Sequence, residues 1–61
     1  MISTYRYNIS VILDDDGNRY LNVYSAFTGH RLGTCHYNKI VESYSSPEEI
    51  DDWVNSNMKY D

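Results

Sequence analysis

An alternating apolar pattern in the first half of the chain constrains the fold more than any other feature. Odd-numbered positions carry large apolar side chains there, namely Tyr5, Tyr7, Ile9, Val11 and Leu13. A period of two residues places them on one face of a β-strand. The run Asp-Asp-Asp-Gly-Asn at 14–18 follows and contains the Asp-Gly pair that tight hairpin turns favour. Alternation then resumes, so we expect a β-hairpin of about residues 4–13 and 19–27.

The second strand of this hairpin should divide its side chains between two faces. Leu21, Val23 and, further on, Phe27 are expected to face the core. Tyr20 and Tyr24 then lie on the opposite face, with Asn22 between them. A single helix covers only one side of a small sheet, so an uncovered face with two tyrosines is either a contact surface or ordinary half-shielded phenol rings.

Residues 30–44 fit two kinds of element. A strand would continue the sheet through alternate residues: Arg31, Gly33, Cys35 and Tyr37. A further short strand over 40–44 is compatible with that interpretation. A helix would instead align four side chains at i, i+3, i+4 and i+7: Tyr37, Ile40, Val41 and Tyr44. Periodicity does not decide between these for so short a segment, and both stay open.

A capping box marks the start of a C-terminal helix. Ser46 is a suitable N-cap, Pro47 suits the first helical position, and Glu49 stands three residues after the cap. We expect a helix at about 47–57, with one apolar stripe: Pro47, Ile50, Trp53, Val54 and Met58. Its opposite face would carry the acidic residues Glu48, Glu49, Asp51 and Asp52. The predicted fold is a single α+β domain spanning 1–61, with a small antiparallel sheet built on the N-terminal hairpin and this amphipathic helix.

Size and residue types argue against catalysis. A domain of about 60 residues buries only about 60% of its unfolded surface, which leaves little room for an enclosed pocket. One cysteine excludes an internal disulfide, so a second copy or a partner is a natural source of extra stability. His30, Cys35 and His36 do not supply the paired ligands of a structural zinc site. Neighbours in sequence, Cys35 and His36 would diverge on a strand. We expect no enzyme, no metal and no cofactor.

Charge and aromatic content favour a protein partner. The net charge is −4, and acidic surfaces repel nucleic acid, so direct DNA or RNA binding is not expected. Residues 1–39 hold four basic and three acidic side chains, whereas 40–61 hold one basic and six acidic. The acidic helix face either keeps the protein in solution or imitates DNA phosphates before a basic cleft. Lacking an apolar leader or a membrane-spanning run, the chain is expected in a reducing cytoplasm.

The stretch from Tyr7 to Tyr20, YNISVILDDDGNRY, resembles the opening of the small uracil-DNA glycosylase inhibitors made by podophages of Gram-positive bacteria. The likeness covers about 20 of the 61 residues, with an apparent one-residue gap before the acidic turn. A weaker likeness to the same family lies further on, where Tyr44-Ser45-Ser46 is followed by Glu48-Glu49-Ile50. The resemblance to this family implies a dimeric α+β protein with a three-stranded sheet and one helix, which occupies the DNA-binding cleft of the host glycosylase. In that family carboxylates imitate phosphates, and apolar side chains sequester the residue that the enzyme inserts into the minor groove.

Carried over by position, Tyr44 matches an interface tyrosine of the family. Ile40 stands where the family has a contacting phenylalanine, and Asn22 stands where it has a functional glutamate. We therefore expect a non-catalytic phage inhibitor, a homodimer in the host cytoplasm, that blocks uracil-DNA glycosylase by DNA mimicry. The candidate partner-binding residues are Tyr44, Ile40, Tyr37, Glu42, Asn22, Tyr20, Tyr24, Glu48, Glu49 and Asp52. The alternatives are an inhibitor of another host or defence protein, such as a CRISPR effector, and a self-associating structural or assembly subunit.

Overall fold

One antiparallel sheet and one α-helix make up the architecture. The computed structural model describes residues 1–43 and 46–61. Its strands are β1 Ile2–Ser3, β2 Tyr7–Leu13, β3 Arg19–Ser25, β4 Arg31–His36 and β5 Lys59–Tyr60, and the α-helix, α1, spans Pro47–Asn57. The five strands are ordered β1-β2-β3-β4-β5 in a single sheet. The α+β class is confirmed, and the sheet has two more strands than the resemblance implies.

The predicted hairpin is present but shorter at its open end. β2 and β3 pair from Tyr7 opposite Ser25 to Leu13 opposite Arg19. At the turn, the Asp14 carboxylate accepts hydrogen bonds from the N–H groups of Asp16 (3.0 Å) and Asn18 (2.8 Å). Gly17 has a φ of 82°, which a side chain would disfavour. The turn chemistry that the sequence indicates therefore forms.

The expectation that Phe27 faces the core is wrong. Its side chain is 82% exposed, because β3 ends at Ser25 and the chain turns there. The Ser25 hydroxyl oxygen accepts hydrogen bonds from the N–H groups of Phe27 (3.1 Å) and Thr28 (3.2 Å). The alternating pattern also fails at its first and last members, since Tyr5 and Leu13 are exposed. Side-chain alternation thus predicts both strands, but the predicted hairpin extends beyond the observed strands at its open end.

Residues 30–44 contain a strand followed by a short turn. Arg31–His36 forms β4, as the strand interpretation expects. The long helical stripe and the strand over 40–44 are both wrong for the described residues, because Lys39–Val41 is a single 3-10 turn. Its cap is the Asn38 side chain, which accepts a hydrogen bond from the Ile40 N–H at 3.0 Å. Tyr44 lies outside the described residues.

The helix bounds agree with the capping-box prediction. Ser46 is the N-cap, with its hydroxyl accepting a hydrogen bond from the Glu49 N–H at 3.3 Å, and Pro47 opens the helix. On the sheet, Ile9, Leu21 and Val23 are fully buried beneath α1, together with Val54 of the helix itself. The helix therefore covers one face of the sheet and leaves the other open. None of the helices in the described ranges has the length and apolar content needed to cross a bilayer.

Asp51 departs from its expected place on the acidic face. The side chain is only 6% exposed, and within the described part of the chain its Oδ1 has no hydrogen-bond partner. The helix turns Ile50, Asp51 and Val54 inward, whereas Trp53 is only partly buried. The side of α1 that packs on the sheet is therefore rotated from the predicted apolar stripe, towards Asp51 and away from Trp53. The interpretation of Asp51 as a solvated residue is therefore wrong.

Candidate functional site

The exposed side of α1 presents three carboxylates to solvent. Glu48, Glu49 and Asp52 are all exposed, while the opposite side of the helix packs on the sheet. Positions 48 and 52 are one helical turn apart, which sets their side chains about 6 Å from each other along the axis. The fold thus fixes a small row of negative charge on a rigid element.

None of the described basic side chains forms an ion pair with these carboxylates. The ion pair found among the described residues joins Arg31 Nη1 to Asp61 Oδ2 at 2.7 Å, away from the helix. The Glu49 Oε1 is 3.5 Å from the Ser46 hydroxyl, which is a weak contact at the helix start. The row therefore projects a negative field that a basic partner can neutralise.

A second group of predicted residues surrounds the 3-10 turn. The Tyr37 hydroxyl donates a hydrogen bond to the Glu42 Oε2 at 2.6 Å, and the Arg19 guanidinium lies 5.2 Å from the centre of the Tyr37 ring. The carboxylate acceptor raises the pKa of Tyr37, with burial adding to the effect and Arg19 opposing it. Ile40 is partly buried against the core. This group combines an apolar contact with a carboxylate whose geometry is fixed.

The third group lies on the open face of the sheet. In register, Tyr20 lies between Ile12 and His36, and Tyr24 lies between Asn8 and Arg31. The Asn22 amide oxygen accepts hydrogen bonds from Arg31 Nε (3.3 Å) and Nη2 (3.1 Å). The Asn22 amide oxygen is thus already engaged within the protein.

Two shallow depressions adjoin this open face. One, of about 390 Å³, is lined by Tyr20, Thr34, Cys35, His36, Asn57 and Lys59. The other runs from the Asp14 turn to Tyr37. Both share Tyr20 and His36. Both linings mix aromatic and charged side chains.

The predicted residues do not form one surface. Glu48, Glu49 and Asp52 lie on the helix side of the sheet, whereas the tyrosines of β3 lie on the open face. Tyr37, Ile40 and Glu42 belong to the connection between β4 and α1. Tyr44 cannot be assigned to any group, because it lies outside the described residues. A partner docking on the helix side therefore contacts a different set from one docking on the sheet.

Cys35 and His36 point in opposite directions along β4, as expected for neighbours on a strand. Cys35 is buried and His36 is exposed. Burial raises the pKa of the Cys35 thiol, which holds it in the neutral, weakly nucleophilic form. Within residues 1–43 and 46–61, the structure shows no group of three or more His, Cys, Asp or Glu side chains placed to hold a metal ion.

Two long-range contacts near these groups had no signal in the sequence. Arg31 joins Asn22 to Asp61, which is thirty residues away in the chain. The Arg19 guanidinium of β3 lies over the ring of Tyr37, which follows β4. Both contacts depend on strand register rather than on local sequence. They show that two exposed basic side chains are already engaged by groups of the protein itself.

Comparisons of the chain with protein-family models, curated proteins and solved structures find no match. Among the surfaces of this chain, the carboxylate row of α1 has the most specific chemistry.

Proposed function

We propose that the protein is a non-catalytic phage inhibitor that occupies the DNA-binding cleft of a host DNA-acting enzyme as a mimic of DNA. Uracil-DNA glycosylase is the first candidate target, because the hairpin sequence resembles inhibitors of that enzyme. In this proposal the protein acts in the host cytoplasm as a homodimer. It binds a protein and has no affinity for nucleic acid itself.

The observation that carries this proposal is the unneutralised carboxylate row of α1. Each strand of DNA offers one phosphate per about 3.4 Å of axis, so two phosphate steps cover about 6.8 Å, close to the axial separation of about 6 Å between Glu48 and Asp52. A cleft that binds DNA is lined with cations positioned for such charges. Glu48 and Asp52 can replace the phosphates there, because their backbone is already ordered in a helix and loses little conformational entropy on docking.

In this proposal the connection before α1 adds a separate apolar contact. Tyr37 is partly buried and donates a hydrogen bond to Glu42, which restricts the rotamers of its side chain. Fixed aromatic rings are effective interface anchors, since few rotamers are lost on binding. Charge on α1 then steers the encounter, and the Tyr37 and Ile40 region contributes burial.

A pair of charge-matched variants tests the proposal by titration calorimetry against purified uracil-DNA glycosylase. Glu48→Gln with Asp52→Asn removes two charges from the helix row, and Asp15→Asn with Asp16→Asn removes two from the hairpin tip. The helix variant should lose about tenfold in affinity, roughly 1.4 kcal/mol, because contact charges are lost. The tip variant should lose much less, since only the long-range field changes.

Failure of the wild-type protein to bind the glycosylase at low salt would remove this target. Equal losses for the two variants would show that the helix row is not the contact surface. Binding of the wild type to another DNA-acting enzyme with the same difference between variants would retain mimicry and change the target. A CRISPR effector is the natural next protein to titrate.

The open face favours a second candidate function, a self-associating structural or assembly subunit. Tyr20 and Tyr24 are half-buried on a sheet face that no described element covers. Tyrosine suits such contacts because a large apolar ring carries a polar tip. This candidate predicts a stable oligomer whose self-affinity is insensitive to salt and to DNA-binding enzymes. Titration of the protein into the glycosylase would then give no heat of binding.

A further inference from the structure

The two edges of the sheet differ in how well they are protected. On the β5 edge, Lys59 and the Arg31–Asp61 ion pair place charge along the border. Charged side chains on an edge are a device by which monomeric proteins prevent strands of other molecules from adding to it.

The other edge lacks such protection over residues 10–13. β1 pairs only with Asn8 and Ile9 of β2. Beyond them, no strand in the described part of the chain lies on that side of β2. The sequence of 10–13 is Ser-Val-Ile-Leu, which has no charge and no proline, and Leu13 is 65% exposed. An uncharged apolar edge of this kind is a template for another strand.

Strand geometry identifies which backbone groups are unpaired. The Tyr7 carbonyl accepts a hydrogen bond from the Thr4 N–H on the β1 side. Because directions alternate along a strand, the odd-numbered residues of β2 face that side and the even-numbered residues face β3. The N–H and C=O groups of Val11 and Leu13 therefore point out of the sheet edge, where the described residues supply no strand to pair with them.

We propose that a second copy of this chain pairs with residues 11–13 of β2, antiparallel and about a two-fold axis at Ile12. Val11 of each copy then lies opposite Leu13 of the other, and the two residues exchange both backbone hydrogen bonds. The two Ile12 side chains meet across the axis on the open face. The sheets of the two copies become continuous, and the exposed Leu13 gains an apolar neighbour.

A second copy fits this edge because the two-fold pairing sets the uncharged residues 11–13 of one copy against the same uncharged residues of the other. The net charge of −4 makes two copies repel each other elsewhere, so this neutral edge is where they can approach. Antiparallel pairing also sends the two acidic turns at 14–16 to opposite ends of the dimer. The contact is short, which predicts a weak dimer with a dissociation constant in the micromolar to millimolar range. This interface is the one through which the homodimer of the proposed function would form. It rests on the proposed function only for the expectation that two copies associate.

Sedimentation equilibrium with two charge-matched variants tests the interface. Leu13→Lys places a cation at the edge, and Phe27→Lys makes the same charge change at an exposed apolar residue away from it. Wild type and Phe27→Lys should dimerise alike at concentrations up to about 1 mM. Leu13→Lys should dimerise at least about tenfold more weakly, because two cations and the loss of two leucines oppose pairing.

Amide hydrogen exchange gives a site-specific second measurement on the wild type. Protection of the Val11 and Leu13 amides should rise with protein concentration, whereas the Ile12 amide, which faces β3, should be protected at all concentrations. A monomer up to about 1 mM, or a dimer that survives in Leu13→Lys, would overturn the interface. Protection of these amides only after a target enzyme is added would also overturn it, since the edge would then belong to that partner. Titration calorimetry of Leu13→Lys with the glycosylase distinguishes failure of this dimer interface from failure of the proposed function.

Discussion

At the scale of single residues, Tyr37 shows how the fold sets the chemistry of a candidate contact. Its hydroxyl donates to the Glu42 carboxylate at 2.6 Å. Loss of the phenol proton would place two negative charges side by side, so the pKa of Tyr37 is raised. The hydrogen bond therefore stabilises the fold fully below the ordinary tyrosine pKa of about 10, and this contribution is lost as pH rises through the raised value.

Replacing Glu42 should return Tyr37 to ordinary behaviour. Glu42→Gln removes the charged acceptor, so the pKa of Tyr37 should fall towards about 10. Titration followed by the carbon resonances of the Tyr37 ring measures this directly. Glu48→Gln, which makes the same charge change on the helix, should leave the Tyr37 titration where it is. An unchanged Tyr37 titration in Glu42→Gln would show that the hydrogen bond does not form in solution.

Asp51 is a residue at which the sequence pattern and the structure disagree, and the disagreement predicts a stabilising substitution. A buried carboxylate oxygen without a partner loses its hydration and regains nothing. Asp51→Ala should raise the free energy of unfolding by about 1 kcal/mol, measured by urea denaturation. Asp52→Ala, next to it on the exposed side, should change stability by no more than about 0.5 kcal/mol. A loss of stability in Asp51→Ala would mean that the carboxylate is satisfied in solution.

At the scale of elements, the close approach of β5 to β4 depends on Gly33. A Cβ at this position would overlap the Lys59 carbonyl oxygen of the neighbouring strand. Only glycine therefore allows β5 to pair with β4 at its observed separation. β5 is two residues long, so it has few other hydrogen bonds with which to resist displacement.

Gly33→Ala should destabilise the protein by about 1–3 kcal/mol, the usual cost of an overpacked site. Amide exchange should show lost protection in β5 while the β2–β3 hairpin stays protected. Thr34→Ala is the matched control, because it shortens a side chain on the same strand without adding an atom between the strands. Full stability of Gly33→Ala, with β5 still protected, would contradict the close approach.

The elements differ in how far the sequence could predict them. The hairpin and α1 were predictable because Asp14–Gly17 and Ser46–Glu49 carry local turn and cap chemistry. β1 and β5 are two-residue strands that exist only through pairing with distant partners, so no local pattern indicates them. The burial of Asp51 depends on the rotation of α1 against the sheet, which a helical wheel cannot specify.

The candidate site was predictable in part for the same reason. The exposure of Glu48, Glu49 and Asp52 follows from the helix register, and the placement of Tyr20 and Tyr24 on one face follows from strand alternation. Their separation onto opposite sides of the sheet required the tertiary fold. The engagement of Asn22 by Arg31 also depends on the pairing of β3 with β4.

At the scale of the whole molecule, the two sides of the sheet have different electrostatic character. The helix side carries the carboxylates of α1, while the open face carries tyrosines, Lys59 and the internally paired Arg31 and Asp61. A protein arranged in this way can dock its acidic side into a basic cleft and keep its sheet free for a second copy. In the proposed function, the acidic side competes with DNA for one cleft.

Steady-state kinetics of uracil-DNA glycosylase on uracil-containing duplex DNA, at increasing concentrations of this protein, tests that claim most directly. Competition for the cleft predicts that the apparent KM for DNA rises while kcat stays constant. The inhibition should weaken as salt is raised, because screening acts on the contact charges. Unchanged turnover at an excess of the protein, or a fall in kcat at constant KM, would contradict the account.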